Sequence, residues 1–174
     1  MGLLDDIKGL LSGYKAGEAP AGDAAAHFQQ VAQSVDSGTL ANGIAAAMRS
    51  DQTPPFAQMV SQLFASGNGD QKTAMVNTLL SSVSSGQRTQ LASMIPGLGA
   101  LAAGSGASAA ASAASALTPD NVKTLAQHAE KNDAGIIDKM STLYAAHPAL
   151  VGTLGTAAMT IAMRNIAQRH GTNA

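Results

Sequence analysis

The chain has 174 residues, with 10 Lys and Arg against 11 Asp and Glu, a formal net charge of −1; this length suits one domain, or one domain with appendages, around a real core. It has no cysteine, which excludes a disulfide framework, a thiolate zinc site and a thiol nucleophile and fits a reducing, cytoplasmic setting. Near-neutral charge, three Phe, two Tyr and no Trp withhold both the basic footprint and the stacking surface that nucleic-acid binding needs.

The first six residues, Met1-Gly2-Leu3-Leu4-Asp5-Asp6, carry acid where a secretory leader has a basic start. Asp6 also stands where myristoylation after Gly2 would want a hydroxyl. Leu3, Leu4, Ile7, Leu10 and Leu11 recur at the spacing of one apolar helical stripe, with Asp5, Asp6 and Lys8 off it. Gly13, Gly17, Pro20 and Gly22 then form a flexible joint, so residues 1–17 read as an attached amphipathic arm.

A helical module is expected over residues 23–95. Its first helix starts at Asp23 as N-cap, carries Phe28, Val31 and Val35, and ends near Gly38. Leu40, Ile44 and Met48 mark another, broken by Thr53-Pro54-Pro55. Phe56, Met59, Val60, Leu63 and Phe64 line the next, which Ser66-Gly67-Asn68-Gly69 closes. Asp70 is expected to cap a helix with Met75, Val76, Leu79, Leu80 and Val83 on its buried face. Met59-Val60, Leu63-Phe64, Ser66, Gln71-Lys72 and Thr73 recur 16 positions on as Met75-Val76, Leu79-Leu80, Ser82, Gln87-Arg88 and Thr89. Two similar helix-and-turn units are implied, short of the three or more of longer period that a solenoid needs.

No charged residue occurs between Arg88 and Asp120. Much of the alanine of the chain sits here, while Leu, Ile, Val and Phe make up only about 19% of all residues, near the level at which disorder becomes a fair suspicion. The opposing signs are the low net charge and a mean hydropathy of +0.08. Between Leu101 and Leu117 only Ala, Ser and Gly occur, too small for a membrane span of ~20 predominantly apolar residues. Residues 96–117 read as a linker with a helical second half, the alternative being an Ala-packed helix.

A C-terminal helical module is expected over residues 118–170. Thr118-Pro119-Asp120 is a helix start, and Val122, Leu125, Ala126 and Ala129 share a face. After Asp133, another cap, come Ile136, Ile137, Met140, Leu143 and Tyr144, ended by His147-Pro148. One last helix is expected from Pro148 to Arg169, with Leu150, Leu154, Ala157, Ala158 and Ile161 on one face and with Gly152 and Gly155 leaving room for a neighbour. No segment alternates as a strand. The fold class is therefore all-α, a bundle of short helices with an N-terminal arm and an Ala/Ser-rich middle.

Chemistry-bearing patterns are sparse. His27, His128, His147 and His170 stand far apart, and only His27 has an acid one helical turn away, Asp23; a metal site wants three or four convergent ligands. Gly97-Leu98-Gly99-Ala100-Leu101-Ala102 and Gly104-Ser105-Gly106-Ala107-Ser108-Ala109 match a loose dinucleotide pattern but lack the preceding strand that such a site requires. Asp70-Gln71-Lys72, Glu130-Lys131 and Asp138-Lys139 read as solvated helix faces. Met48, Met59, Met75, Met140, Met159 and Met163 read as core, with a plastic binding groove as the alternative.

The opening Met1-Gly2-Leu3-Leu4-Asp5-Asp6, followed by Gly-rich joints and short Leu-containing helices, resembles the start of the YidB-like bacterial proteins. Residues 40–80 and Ala145-Ala146-His147-Pro148-Ala149-Leu150-Val151 are more loosely similar. The resemblance implies an all-helical bacterial protein and brings no catalytic residue with it. The expectation is a non-enzymatic interaction or self-assembly protein, its partner itself or another protein, whose arm buries Leu3, Leu4, Ile7, Leu10 and Leu11 in a groove. Neither a cofactor nor a metal nor a small-molecule ligand is indicated. The alternatives are peripheral membrane binding through the arm or the tail helix, weakened by the excess of acid on the arm, and a helical enzyme using His128, His147 and Asp133 or Asp138.

Overall fold

The computed structural model describes residues 2–99 and 107–172, except for the side chains of Leu3, Leu4, Ala21, Ala107, Gly171 and Thr172. All regular structure among them is helical, in eleven α-helices with single 3-10 turns at Ala21–Asp23 and Gly152–Leu154. The all-α class is therefore shown, and packing divides the chain into two compact units.

One unit comprises residues 1–55 and 141–174. It contains α1 (Leu3–Ala16), α2 (Ala24–Ala32), α3 (Ser37–Met48), α10 (Pro148–Val151) and α11 (Thr156–Thr172). The other comprises residues 56–140, with α4 (Phe56–Ser66), α5 (Gly69–Ser81), α6 (Ser85–Met94), α7 (Ala107–Ala116) and α8 (Pro119–Asn132). Helix α9 (Ile136–Ala145) begins in the second and ends in the first. Successive modules over 23–95 and 118–170 are thus not how the chain divides. The C-terminal helix α11 packs on α3, α1 and α2, and amphipathic periodicity marks a buried face without saying which distant helix will cover it.

In the first unit α3 and α11 form the central pair, burying Leu40, Ile44 and Met48 with Met159, Ala162, Met163 and Ile166. Gly43 makes their closeness possible: a Cβ there would lie 2.6 Å from Ile166 Cγ1 and 2.9 Å from the Ala162 carbonyl oxygen. The expected close-approach glycines serve otherwise. At Gly152 a Cβ would meet only ordinary contacts, and Gly155, at φ +91°, separates α10 and its 3-10 turn from α11. The single helix expected over 148–169 is therefore broken, because this left-handed conformation cannot continue an α-helix.

Asp23 precedes α2 without its side chain capping it. That helix stops at Ala32, and Asp36 starts the next by accepting Thr39 N–H at 2.8 Å and Thr39 Oγ1–H at 2.7 Å. Thr53, buried, closes α3 by donating to the carbonyls of Ala47 at 2.6 Å and Ser50 at 2.9 Å, just before the proline pair.

In the second unit α4 packs on α8, and α5 on α7 and α8. The 16-residue echo acquires a physical meaning here. Asn68 with Gln71, and Ser84 with Gln87, form two capping boxes 16 residues apart. Thr73 and Thr89 repeat the hydroxyl bond to the carbonyl four residues back. Asn68, not Asp70, is the cap of α5; Asp70 lies in its first turn, where the helix dipole favours an acid. Of the expected linker, residues 107–116 form α7, whose Ala110, Ala113 and Ala114 are buried. Residues 100–106 lie outside the described residues. Gly97, at φ +98°, lets the chain pass Ala116 so closely that a Cβ would stand 3.0 Å from its methyl. Thr118 caps α8 and Asn121 Nδ2 donates to the Pro96 carbonyl at 3.1 Å.

Candidate functional site: the N-terminal helix and its groove

Helix α1 is made by the apolar stripe read in the sequence, with Asp5 and Asp6 in its first turn and Lys15 in its last, as the helix dipole favours. Gly17 at φ +77° terminates it, taking bonds to the Gly13 and Tyr14 carbonyls. The chain then doubles back, and α1 runs antiparallel beside α2. Tyr14 meets His27 near the joint, while Asp6, Ile7 and Leu10 line a cleft with Gln30 and Gln33 further along. The other wall of the seat is α11.

Ile7 and Leu11 are buried, at 5% and 4% exposure, and Leu10 is half-buried beside the cleft. The expected anchors Leu3 and Leu4 lie on α1, but their side chains are outside the described residues. The sequence reading missed Tyr14, which continues the stripe at i+7 from Ile7 and is 1% exposed. Its signal was present in that spacing and was cut short at Leu11. Its hydroxyl is 3.0 Å from His27 Nδ1, and the two rings meet edge-on, at 82° with centroids 5.9 Å apart. Burial first, and then the negative charge of Asp23, raises the Tyr14 phenol above its ordinary range. His27 is thus the hydrogen-bond partner that lets a phenol be buried. The cleft has a volume of about 200 Å³.

A second polar grouping lies in the unit of residues 56–140. Lys139 Nζ is 2.5 Å from Asp133 Oδ2, Ser82 Oγ donates to the same oxygen at 2.8 Å, and Gly135 N–H donates to Oδ1 at 2.9 Å. Hydrogen bonds from Lys139 and then Ser82 hold the Asp133 carboxyl down at about 2. A carboxylate held this low is a poor base for Ser82, whose hydroxyl already donates to it. The arrangement instead ties the end of α5 to the α8–α9 turn, beside the Gln87 Nε2 to Asn132 Oδ1 bond of 2.7 Å. The sequence reading saw Asp133 as a cap and did not find this cluster.

Among the described residues no three of His, Cys, Asp and Glu gather as metal ligands. His128 lies on α8, and His147 sits before α10 as its N-cap residue. The first dinucleotide match follows helix α6 instead of a strand, and both matches run into residues outside the description. All six methionines read as core are buried, whereas Met94 is 59% exposed. Among the described residues no helix is long and apolar enough to cross a membrane. No protein-family model, curated protein or solved structure matches this chain.

Proposed function

We propose that this is a non-enzymatic interaction protein that works by seating an amphipathic helix in a groove. The observation that carries the reading is the docking of α1, with Ile7, Leu11 and Tyr14 buried at successive turns against α2 and α11. Helix-in-groove recognition uses this pattern of anchors along one face. Inward seating of Ile7 and Leu11 favours this over lipid binding, because one face cannot serve a bilayer and a groove together. Each anchor contributes about 1.5–3 kcal/mol of burial before the cost of ordering the arm.

Deleting residues 1–17 tests the reading. The remaining chain is expected to melt at a lower temperature and, with the groove uncovered, to gain mass by light scattering. Unchanged melting and mass would overturn it.

A further inference from the structure

Two Asn-Gly pairs occur in the chain, Asn42-Gly43 and Asn68-Gly69. In this dipeptide an asparagine side chain is most open to attack by its own backbone, because glycine has no Cβ to shield the following nitrogen. The glycine nitrogen bonds to Asn Cγ, the Cγ–Nδ2 bond breaks, and the displaced amide leaves as ammonia with the glycine N–H proton, closing a five-membered imide. Water then adds to one of the two imide carbonyls and opens the ring. Opening on one side leaves aspartate. Opening on the other leaves an isoaspartyl link, in which the main chain runs through the side-chain carbonyl and is longer by one carbon. The only co-reactant is solvent water.

The fold treats the two pairs oppositely. Asn42-Gly43 lies inside α3, where the Gly43 N–H is committed to the carbonyl four residues back and Asn42 Nδ2 donates to the Gly38 carbonyl at 2.9 Å. Gly43 is also held against α11, a Cβ there standing 2.9 Å from the Ala162 carbonyl oxygen. Ring closure at Asn42 therefore requires α3 to break and to part from α11. Asn68, in contrast, stands outside the helix as the N-cap of α5, its backbone extended at φ −77° and ψ 176°. Gly69 is the first helical residue, so its N–H has no intrahelical partner. Both residues are exposed, and a Cβ at Gly69 would meet nothing within 4 Å. The Gln71 N–H that donates to Asn68 Oδ1 at 2.9 Å draws charge from Cγ, the atom attacked. Closure is opposed by the capping box alone, at a helix end that opens locally without unfolding the rest.

We infer that Asn68 is a site of spontaneous deamidation in the folded chain and that Asn42, with the same dipeptide, is protected by the fold. Aspartate at position 68 keeps a capping oxygen and adds negative charge where the helix dipole favours it. An isoaspartyl link instead destroys the three-residue spacing on which the capping box depends, and so loosens the start of α5.

The test incubates the native chain in mildly alkaline buffer beside a urea-unfolded sample, with tryptic peptides followed over time by mass spectrometry. Cleavage at Lys15, Arg49 and Lys72 places Asn42 in residues 16–49 and Asn68 in residues 50–72. Expected in the folded chain is the mass gain of an amide exchanged for an acid in the second peptide alone, assigned to Asn68 by fragmentation and resolved into aspartyl and isoaspartyl forms. The unfolded chain should show the gain in both peptides. Gly69→Ala, which has room for its methyl and suits a helical position, should suppress the reaction in the folded chain without lowering its melting temperature. Equal gain at Asn42 and Asn68 in the folded chain would overturn the inference, as would a folded Asn68 that stays intact while the unfolded chain reacts. Undiminished gain in Gly69→Ala would exclude attack by the Gly69 nitrogen and overturn it equally.

Discussion

Gly43→Ala isolates the contact on which the first unit is built. In an exposed helix interior, alanine for glycine stabilises by about 1 kcal/mol. At position 43 the added methyl would stand 2.6 Å from Ile166 Cγ1, 2.9 Å from Ile166 Cδ1 and 2.9 Å from the Ala162 carbonyl oxygen. Ile166 can turn aside at about 0.5–1.5 kcal/mol for a strained rotamer. The carbonyl belongs to the α11 backbone and yields only if the helices separate, an overpacking cost of about 1–3 kcal/mol. The steric terms exceed the propensity gain over most of their range, so a net loss of about 0.5–3.5 kcal/mol is expected. That is about 1–14 °C in melting temperature for a chain of this size. Urea titration followed by circular dichroism measures it, with Gly9→Ala as the control. Gly9 lies exposed in α1 with open space around its would-be Cβ, so the same chemical change there should stabilise by about 0.5–1 kcal/mol. A double-mutant cycle with Ile166→Ala completes the argument, since part of the clash disappears with the side chain and the two costs should not add. If Gly43→Ala proved as stable as the parent, or the cycle were additive, the close approach would not control the α3–α11 packing.

Three further outcomes are expected. Tyr144 is fully buried and its hydroxyl has no hydrogen-bond partner among the described residues, so Tyr144→Phe should be neutral or stabilising by up to about 1 kcal/mol; a clear loss in thermal melting would show that the hydroxyl is satisfied after all. The Asp133 carboxyl is lowered from 3.8 to about 2 in the folded chain, so its contribution is complete above the unfolded value and is lost as pH falls through that interval. Asp133→Asn should flatten the dependence of stability on pH there, and a slope equal to that of the parent would count against the Lys139 and Ser82 bonds. Replacing Asn68 or Ser84 by alanine should cost about 1 kcal/mol each, measured by urea titration, and an unaffected midpoint in either would contradict the capping boxes.

Local features of the fold were legible where the residues that cause them are neighbours in the chain. Thr118-Pro119 starts α8 because a capping hydroxyl and a proline at the first helical position act within a few residues, and the Thr53-Pro54-Pro55 break is local for the same reason. The 16-residue echo was visible as a pattern, but its cause, two capping boxes, required noticing that Asn68 and Ser84 each precede a glutamine by three positions. Misplaced caps came from competition between adjacent candidates. Asp70 and Asn68 are both good N-cap residues, and only the backbone decides that Asn68 has the extended conformation a cap needs while Asp70 is already in the helix.

Pairing between distant faces could not be read in this way, and the groove depends on it. The stripe Ile7, Leu10 and Leu11 announced a helix with one buried side, yet the identity of α2 and α11 as its seat follows from how α11 returns to α3. That return depends on the missing side chain at Gly43, a position indistinguishable in sequence from the exposed glycine at position 9. Tyr14 shows the complementary case. A tyrosine at the end of an amphipathic arm looks like a surface residue until His27, thirteen positions on, supplies the bond that makes burying its hydroxyl tolerable. The groove is thus defined by one side chain that is absent, at Gly43, and one that is satisfied from afar, at Tyr14. Substituting His27 by an apolar residue should therefore loosen α1 more than removing a half-buried surface histidine would, because it leaves the Tyr14 hydroxyl buried without a partner. Hydrogen exchange along α1 measures that loosening, and exchange no faster than in the parent would show that the arm is held without the bond.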